Sequence, residues 1–82
     1  MGIKQLECAM EAILFASGDP VPCERFCQVL NIDQEMAELL IGRLRDRLDD
    51  RDSALEVIKV GDSYQLTTRS EFADQIRSAL EI

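Results

Sequence analysis

Residues 55–68 read Leu-Glu-Val-Ile-Lys-Val-Gly-Asp-Ser-Tyr-Gln-Leu-Thr-Thr. The two halves of this stretch are rich in β-branched and aromatic residues, which favours strands over Leu55–Val60 and Tyr64–Thr68. Between them, Gly61-Asp62-Ser63 has the small and polar residues of a hairpin turn. The stretch therefore predicts an antiparallel β-hairpin, and the helices on either side of it decide the class of fold.

Two helices are predicted immediately upstream of the hairpin. Pro22 suits the start of a short helix. The core face of this short helix is expected to contain Phe26, Val29 and Leu30. After a turn at residues 31–33, with Asp33 as N-cap, a longer helix is expected from about Gln34 to Arg51. Its apolar stripe consists of Met36, Ala37, Leu40, Ile41, Leu44 and Leu48. Two helices joined by so short a turn form a helix-turn-helix pattern.

The chain begins with another helix, expected from about Ile3 to Ala16. It ends where Gly18 can adopt the positive φ of a C-terminal cap and Pro20 prevents continuation. One wide face is apolar and consists of Ile3, Leu6, Ala9, Met10, Ile13 and Leu14. The expected solvated edge consists of Lys4, Glu7 and Glu11.

A second apolar strip lies on another side of this first helix and consists of Cys8, Ala12 and Phe15. A helix that is apolar around most of its circumference is either central to its domain or shared with a partner. Two interpretations of the strip therefore remain open: burial against the domain's own second or fourth helix, or a contact between subunits.

A fourth helix is expected after the hairpin. Thr68 and Glu71 have the spacing of a capping box, with Thr68 as N-cap and Glu71 as the third helical residue. The apolar face of this helix consists of Phe72, Ala73, Ile76, Ala79 and Leu80. The order helix, helix, helix, hairpin, helix predicts an α+β, mostly α fold. Residues 1–82 are expected to form one winged-helix domain with an additional C-terminal helix.

The charge balance argues against a nucleic-acid-binding role. Nine Lys and Arg residues face sixteen Asp and Glu residues, for a net charge of −7. Proteins that bind the phosphate backbone need a basic face, because neutralised phosphates release counterions and supply much of the affinity. The third helix, which reads the major groove in DNA-binding members of the fold, is also acidic on its predicted outward face. That face carries Glu35, Glu38, Asp46, Asp49 and Asp50 with Arg43 and Arg45. Leu39 is a lone apolar residue there and a candidate contact.

Catalysis, metal binding and membrane insertion find little support in the sequence. There is no histidine and no glycine-rich phosphate loop, and the three cysteines do not have zinc-site spacing. Cys23 and Cys27 are four residues apart and are interpreted as half-buried small apolar residues. The longest apolar run, residues 12–16, is far too short to cross a bilayer. The sequence predicts no enzyme, no cofactor and a cytoplasmic location.

The stretch Glu11–Val21, Glu-Ala-Ile-Leu-Phe-Ala-Ser-Gly-Asp-Pro-Val, resembles the start of the segregation and condensation protein B family. This family is the accessory subunit of the bacterial chromosome-organising complex. The resemblance continues through residues 55–61 and 64–68 and the following helix with Phe72, and it covers essentially the whole chain. It implies the amino-terminal one of two winged-helix domains.

The resemblance also implies a role without catalysis in chromosome segregation and condensation, at the nucleoid. Members of the family homodimerise, chiefly through this first domain. Through the full-length protein they bind the kleisin subunit that bridges the SMC ATPase heads, with the second domain providing much of that contact. Candidate dimer or partner contacts are therefore Cys8, Ala12, Phe15 and Leu39. The alternative is the DNA-binding winged-helix domain of a transcription regulator.

Overall fold

The computed structural model describes residues 1–81. The described chain contains α1 (Ile3–Ser17), β1 (Val21–Pro22), α2 (Cys23–Leu30), α3 (Gln34–Asp50), β2 (Leu55–Val60), β3 (Ser63–Thr68), a 3-10 turn (Ser70–Phe72) and α4 (Ala73–Leu80). The strands form one antiparallel sheet in the order β1-β3-β2. This is a winged helix with an extra C-terminal helix, as the sequence predicts.

Two predicted helix boundaries, the end of α1 and the start of α3, are confirmed by their local geometry. Gly18 ends α1 with φ of 69°, in the left-handed region that glycine adopts at little cost. At the start of α3, an Asp33 carboxylate oxygen accepts a hydrogen bond from the Met36 backbone N–H at 2.8 Å. The predicted hairpin is confirmed, with Leu55 opposite Thr68. Its turn is one residue shorter than predicted, because Ser63 pairs with Val60 and begins β3.

The core lies between α1, α2, α3 and the inner face of the sheet. Its fully buried large side chains are Phe26, Met10, Leu14, Leu40, Ile41, Leu44 and Leu48. The predicted stripe of α3 is confirmed, with Met36 half-buried at its edge. Burial of this stripe places the opposite side of α3 in solvent, where a DNA-binding winged helix would read bases.

The prediction that Val29 belongs to the core face of α2 is wrong. Val29 is 61% exposed. The side of α2 that faces the core carries Phe26 and Leu30, with Cys23 and Cys27 packed next to them. The interpretation of both cysteines as half-buried small apolar residues is confirmed.

The predicted start of α4 is also wrong. Thr68 is the last residue of β3, paired with Leu55, so it does not cap a helix. The chain instead makes a 3-10 turn before α4, and the cap residue Arg69 forms no side-chain cap bond there. Arg69 donates from Nε to the Ser53 carbonyl at 2.7 Å and from Nη2 to an Asp49 carboxylate oxygen at 2.8 Å. These bonds fix the start of the C-terminal segment beside the end of α3.

Candidate interaction surfaces

The strip of α1 formed by Cys8, Ala12 and Phe15 lies in solvent. All three residues are exposed, and Phe15 is exposed to 75%. Their positions on the helix turn them away from Met10 and Leu14, which are buried. Burial of the strip against the domain's own second or fourth helix is therefore excluded, and a contact between subunits stays a prediction. We call Cys8, Ala12 and Phe15 the outer strip of α1.

The outer strip combines the small side chains of Cys8 and Ala12 with the exposed ring of Phe15. At its N-terminal end, an open concavity of about 710 Å³ is lined by Met1, Lys4, Gln5, Cys8 and Ala9. No carboxylate lines this concavity, although the chain as a whole is strongly acidic. An apolar side chain of a partner can enter such a surface without desolvating an acidic group.

The sequence interpretation of Glu7 as part of a solvated edge is wrong. Glu7 is only 4% exposed. Its carboxylate accepts hydrogen bonds from Arg47 Nε at 2.5 Å and from Arg43 Nε at 3.2 Å, both from α3. Burial by itself raises the pKa of Glu7, but the bonds and charges of Arg47 and then Arg43 outweigh burial and lower it. Glu7 is therefore held ionised at the α1–α3 interface.

The pairing continues one turn further along both helices. Glu11 accepts from Arg47 Nη2 at 2.7 Å and from Arg51 Nη2 at 3.5 Å. The pKa of Arg47 is raised, first by its hydrogen bond to Glu11 and then by its bond to Glu7. The sequence signal for these ion pairs is a matching four-residue spacing. Glu7 and Glu11 have it on α1, and Arg43, Arg47 and the α3 C-cap residue Arg51 have it as well.

The two arginines assigned to the outward face of α3 both form bonds within the domain. Arg43, assigned to that face, instead pairs with Glu7. Arg45 donates to the Val57 carbonyl at 3.1 Å and lies 5.9 Å from the centre of the Tyr64 ring. Both arginines are thus engaged by the domain itself, and Asp49 of this face pairs with Arg69. The remaining carboxylates still outnumber the two arginines on the face.

Leu39 stands in the middle of this acidic face and is 49% exposed. On the same side of the helix, Glu35 lies one turn before Leu39 and Asp46 lies two turns after it. Leu39 and the outer strip of α1 are on different helices and different sides of the core. The four sequence-predicted contact residues therefore form two separate surfaces.

A groove of about 560 Å³ runs between α2, the start of α3 and the hairpin. Its lining residues are Pro22, Cys23, Glu24, Cys27, Gln34, Glu38, Lys59, Asp62 and Tyr64. Burial raises the pKa of the Cys23 thiol, and the neighbouring Cys27 raises it further. Because the thiolate is the reactive form, this shift makes Cys23 a poor nucleophile at neutral pH.

Two further findings concern residues 1–81 as a whole. Within this range, histidine, cysteine and carboxylate side chains form no group of three that could hold a metal ion. No helix in the same range has the length and hydrophobicity needed to span a membrane.

Comparison with known proteins identifies related sequences. The family described as "Segregation and condensation complex subunit ScpB" matches residues 8–82. The segregation and condensation protein B of Ruminiclostridium cellulolyticum is 24% identical over 82 residues, which cover 100% of this chain and 43% of that protein. The corresponding protein of Lachnoclostridium phytofermentans is 32% identical over 76 residues, which cover 93% of this chain and 40% of that protein. The chain thus spans about two fifths of the length of these relatives.

Solved structures show the same fold. The crystal structure of ScpB from Mycobacterium tuberculosis matches with a TM-score of 0.88 at 20% identity, over 98% of this chain and 50% of that one. The crystal structure of a dimer of the ScpB N-terminal domain complexed with an ScpA peptide matches with a TM-score of 0.86 at 23% identity. The match covers 94% of this chain and 96% of that one. At these identities the two likenesses establish the fold.

Proposed function

Because the chain belongs to the segregation and condensation protein B family, we propose that it is the amino-terminal winged-helix domain of a chromosome segregation and condensation factor. In this proposal the domain is a non-catalytic interaction module that forms a homodimer. Within the full-length protein it binds a kleisin subunit and works with an SMC ATPase, in the cytoplasm at the nucleoid.

The observation that carries this proposal is the uncovered outer strip of α1. Phe15 is 75% exposed although it belongs to a helix whose opposite side lies in the core. Exposed aromatic residues beside small ones are typical of surfaces that become buried on association. The solved dimer of an ScpB N-terminal domain supports the assignment, since this chain covers 96% of the chain in that structure.

The outward face of α3 argues against the alternative, a DNA-binding domain. Base readout needs arginine, lysine, asparagine or glutamine on that face, and phosphate contacts need positive charge. Here the arginines of α3 bond to Glu7, Glu11 and the Val57 carbonyl instead. A duplex titration at low salt should therefore show no binding. Affinity that falls steeply as salt is added would contradict the proposal and favour a transcription regulator.

The dimer is tested by sedimentation velocity at micromolar concentration. The wild-type chain should sediment as a dimer, and Phe15→Asp should give a folded monomer because a charge in the interface cannot be desolvated cheaply. Val29→Asp is the matched control, since Val29 is an exposed apolar residue on α2, away from the strip. It should remain a dimer.

Three outcomes distinguish the parts of this proposal. A wild-type monomer at all concentrations would contradict the homodimer. If the Phe15→Asp variant is still a dimer, the outer strip is not part of the interface. Leu39→Asp should leave the dimer intact and weaken binding of the full-length protein to the purified kleisin from the same organism. Unchanged kleisin binding would exclude Leu39 as a partner contact.

A further inference from the structure

The groove between α2, the start of α3 and the hairpin carries an excess of negative charge. Of its lining residues within 1–81, three are carboxylates, Glu24, Glu38 and Asp62, and Lys59 alone is basic. In the same range, none of these four side chains forms an ion pair. The domain therefore does not neutralise the charge of this groove by itself.

Acidic side chains alone do not make a binding site, and the second feature of the groove is Tyr64. This residue is 5% exposed, and its hydroxyl forms no hydrogen bond with any group of residues 1–81. Every fully enclosed side-chain nitrogen or oxygen in that range has a partner, so the hydroxyl still reaches solvent. Because Tyr64 lines the groove, the hydroxyl reaches solvent there. Buried hydroxyls are ordinarily hydrogen-bonded, so an unpaired one directed into a groove indicates a ligand group.

Apolar groups lie among the charges of the groove. Its lining includes Pro22 and the two half-buried thiols of Cys23 and Cys27. Burial and then Cys27 raise the pKa of Cys23, the charge of Glu38 raises it further, and Lys59 lowers it. Charges of both signs therefore act on one apolar thiol of the groove. A ligand that matches this lining combines positive charge with methylene groups.

A linear aliphatic polyamine has this combination. Its ammonium groups donate charge-assisted hydrogen bonds to carboxylates, and a tyrosine hydroxyl oxygen can accept one further N–H. Its methylene groups cover apolar lining that water otherwise contacts. A metal ion is a poorer match, because histidine, cysteine and carboxylate side chains of residues 1–81 form no group of three that could hold one.

A lysine-rich peptide carries the same ammonium groups but fits the groove less well. It also brings backbone amides, which need hydrogen-bond partners when they are desolvated. The side-chain amide of Gln34 in the lining already donates to Glu38 at 3.1 Å. A free polyamine makes no such demand and is slender enough to approach the hydroxyl of Tyr64.

We propose that this groove binds a linear aliphatic polyamine, with its three carboxylates holding ammonium groups and the Tyr64 hydroxyl accepting a hydrogen bond from one of them. The proposal goes beyond the interaction module proposed above. No residue of the outer strip of α1 lines the groove. The polyamine site and the proposed dimer contact are therefore separate, and either can fail without the other.

The emission of Tyr64 tests the proposal in the unmodified chain. The chain has one tyrosine and no tryptophan, so its intrinsic emission comes from a residue of the groove. Titration with spermidine at low salt should change this emission and reach saturation. A wild-type chain without a saturable change would overturn the proposal. So would an equal response to magnesium chloride at the same ionic strength, or tighter binding of a trilysine peptide than of spermidine.

Three variants locate the site. Glu38→Gln should raise the half-saturating spermidine concentration about three- to tenfold, because one charge-assisted hydrogen bond is lost. Lys59→Gln removes the opposing charge and should lower that concentration about two- to threefold. Glu71→Gln removes an exposed carboxylate outside the groove and is the matched control, which should leave it nearly unchanged. Equal shifts for Glu38→Gln and Glu71→Gln would show binding to the net charge of the chain and overturn the proposal.

Calorimetry with Tyr64→Phe tests the hydroxyl. The variant keeps the ring that lies 5.9 Å from the Arg45 guanidinium and removes the oxygen alone. The affinity for spermidine should fall about two- to tenfold, as expected for one lost hydrogen bond. An unchanged affinity would overturn the role that the proposal assigns to Tyr64.

Discussion

The carboxylate of Glu7 and the guanidinium of Arg47 are joined across the α1–α3 interface at 2.5 Å, although the two residues are 40 positions apart in the chain. Glu7 is 4% exposed, so its carboxylate lies where water hardly reaches it. A buried charge without its partners is costly, and the two arginines that meet Glu7 therefore fix how α1 lies on α3. Since the outer strip is on the far side of α1, the same pairing holds that strip in solvent.

Replacing Glu7 by Gln should lower the free energy of unfolding by about 2 kcal/mol. The amide keeps the volume of the side chain but removes the charge that Arg47 and Arg43 meet. Urea denaturation followed by circular dichroism measures the change. Glu11→Gln is the control: its side chain is 25% exposed, so the loss should be about 1 kcal/mol or less. Equal losses for the two variants would contradict a special role of the buried carboxylate.

The stability that Glu7 contributes should disappear in acid. The pKa of Glu7 is lowered in the folded state, so its contribution is complete above the ordinary unfolded value of about 4.3. It is lost as the pH falls from there toward the lowered folded pKa. The difference in urea midpoint between the wild-type chain and Glu7→Gln should be constant from pH 7 to about pH 5 and then shrink. A difference that persists undiminished in stronger acid would contradict this assignment.

Gly42 in the middle of α3 should be replaceable by alanine with a gain in stability. A Cβ at this position meets no atom within 4 Å. Alanine in a helix interior is favoured over glycine by about 1 kcal/mol. Gly18→Ala should have the opposite sign, because Gly18 has φ of 69° and a side chain is strained there. The urea midpoints of Gly42→Ala and Gly18→Ala, each compared with that of the wild-type chain, test these two expectations. A destabilised Gly42→Ala would mean that the outward face of α3 is not open.

The elements whose signals are local were predictable from the sequence. The β-branched residues and the turn at Gly61 predict the hairpin, and the regular spacing of apolar residues predicts α3. The cap at Asp33 follows from the preference of this side chain for a helix start. Each of these features depends on residues a few positions apart, which a single sequence displays directly.

The position of Glu7 could not be predicted in the same way. Charged residues at helical spacing are ordinarily solvated, and only the packing of α1 on α3 brings the arginines to this carboxylate. The assignment of Val29 to the core is wrong for a related reason. A two-turn helix has apolar residues at several positions, and only the packing of the domain determines which side of the helix is buried. The apolar faces of α1 and α4 were visible in the sequence, but a sequence alone does not tell whether such a face meets its own chain or another.

The rate at which a thiol reagent modifies Cys8 should depend on whether the chain is a monomer or a dimer. It is exposed, whereas Cys23 and Cys27 are half-buried and the pKa of Cys23 is raised, first by burial and then by Cys27. A thiol reagent at low protein concentration should therefore modify Cys8 first, as peptide mass analysis will show. As the concentration rises through the dissociation constant of the dimer, the rate at Cys8 should fall, because the proposed contact covers the outer strip of α1.

The variant Phe15→Asp provides the control for this protection. As a monomer, it should leave Cys8 equally reactive at every protein concentration, while the slow rates at Cys23 and Cys27 should stay as in the wild-type chain. The internal thiols thereby show that the variant is folded and that only the surface has changed. A Cys8 rate independent of concentration in a wild-type chain that sediments as a dimer would place Cys8 outside the interface.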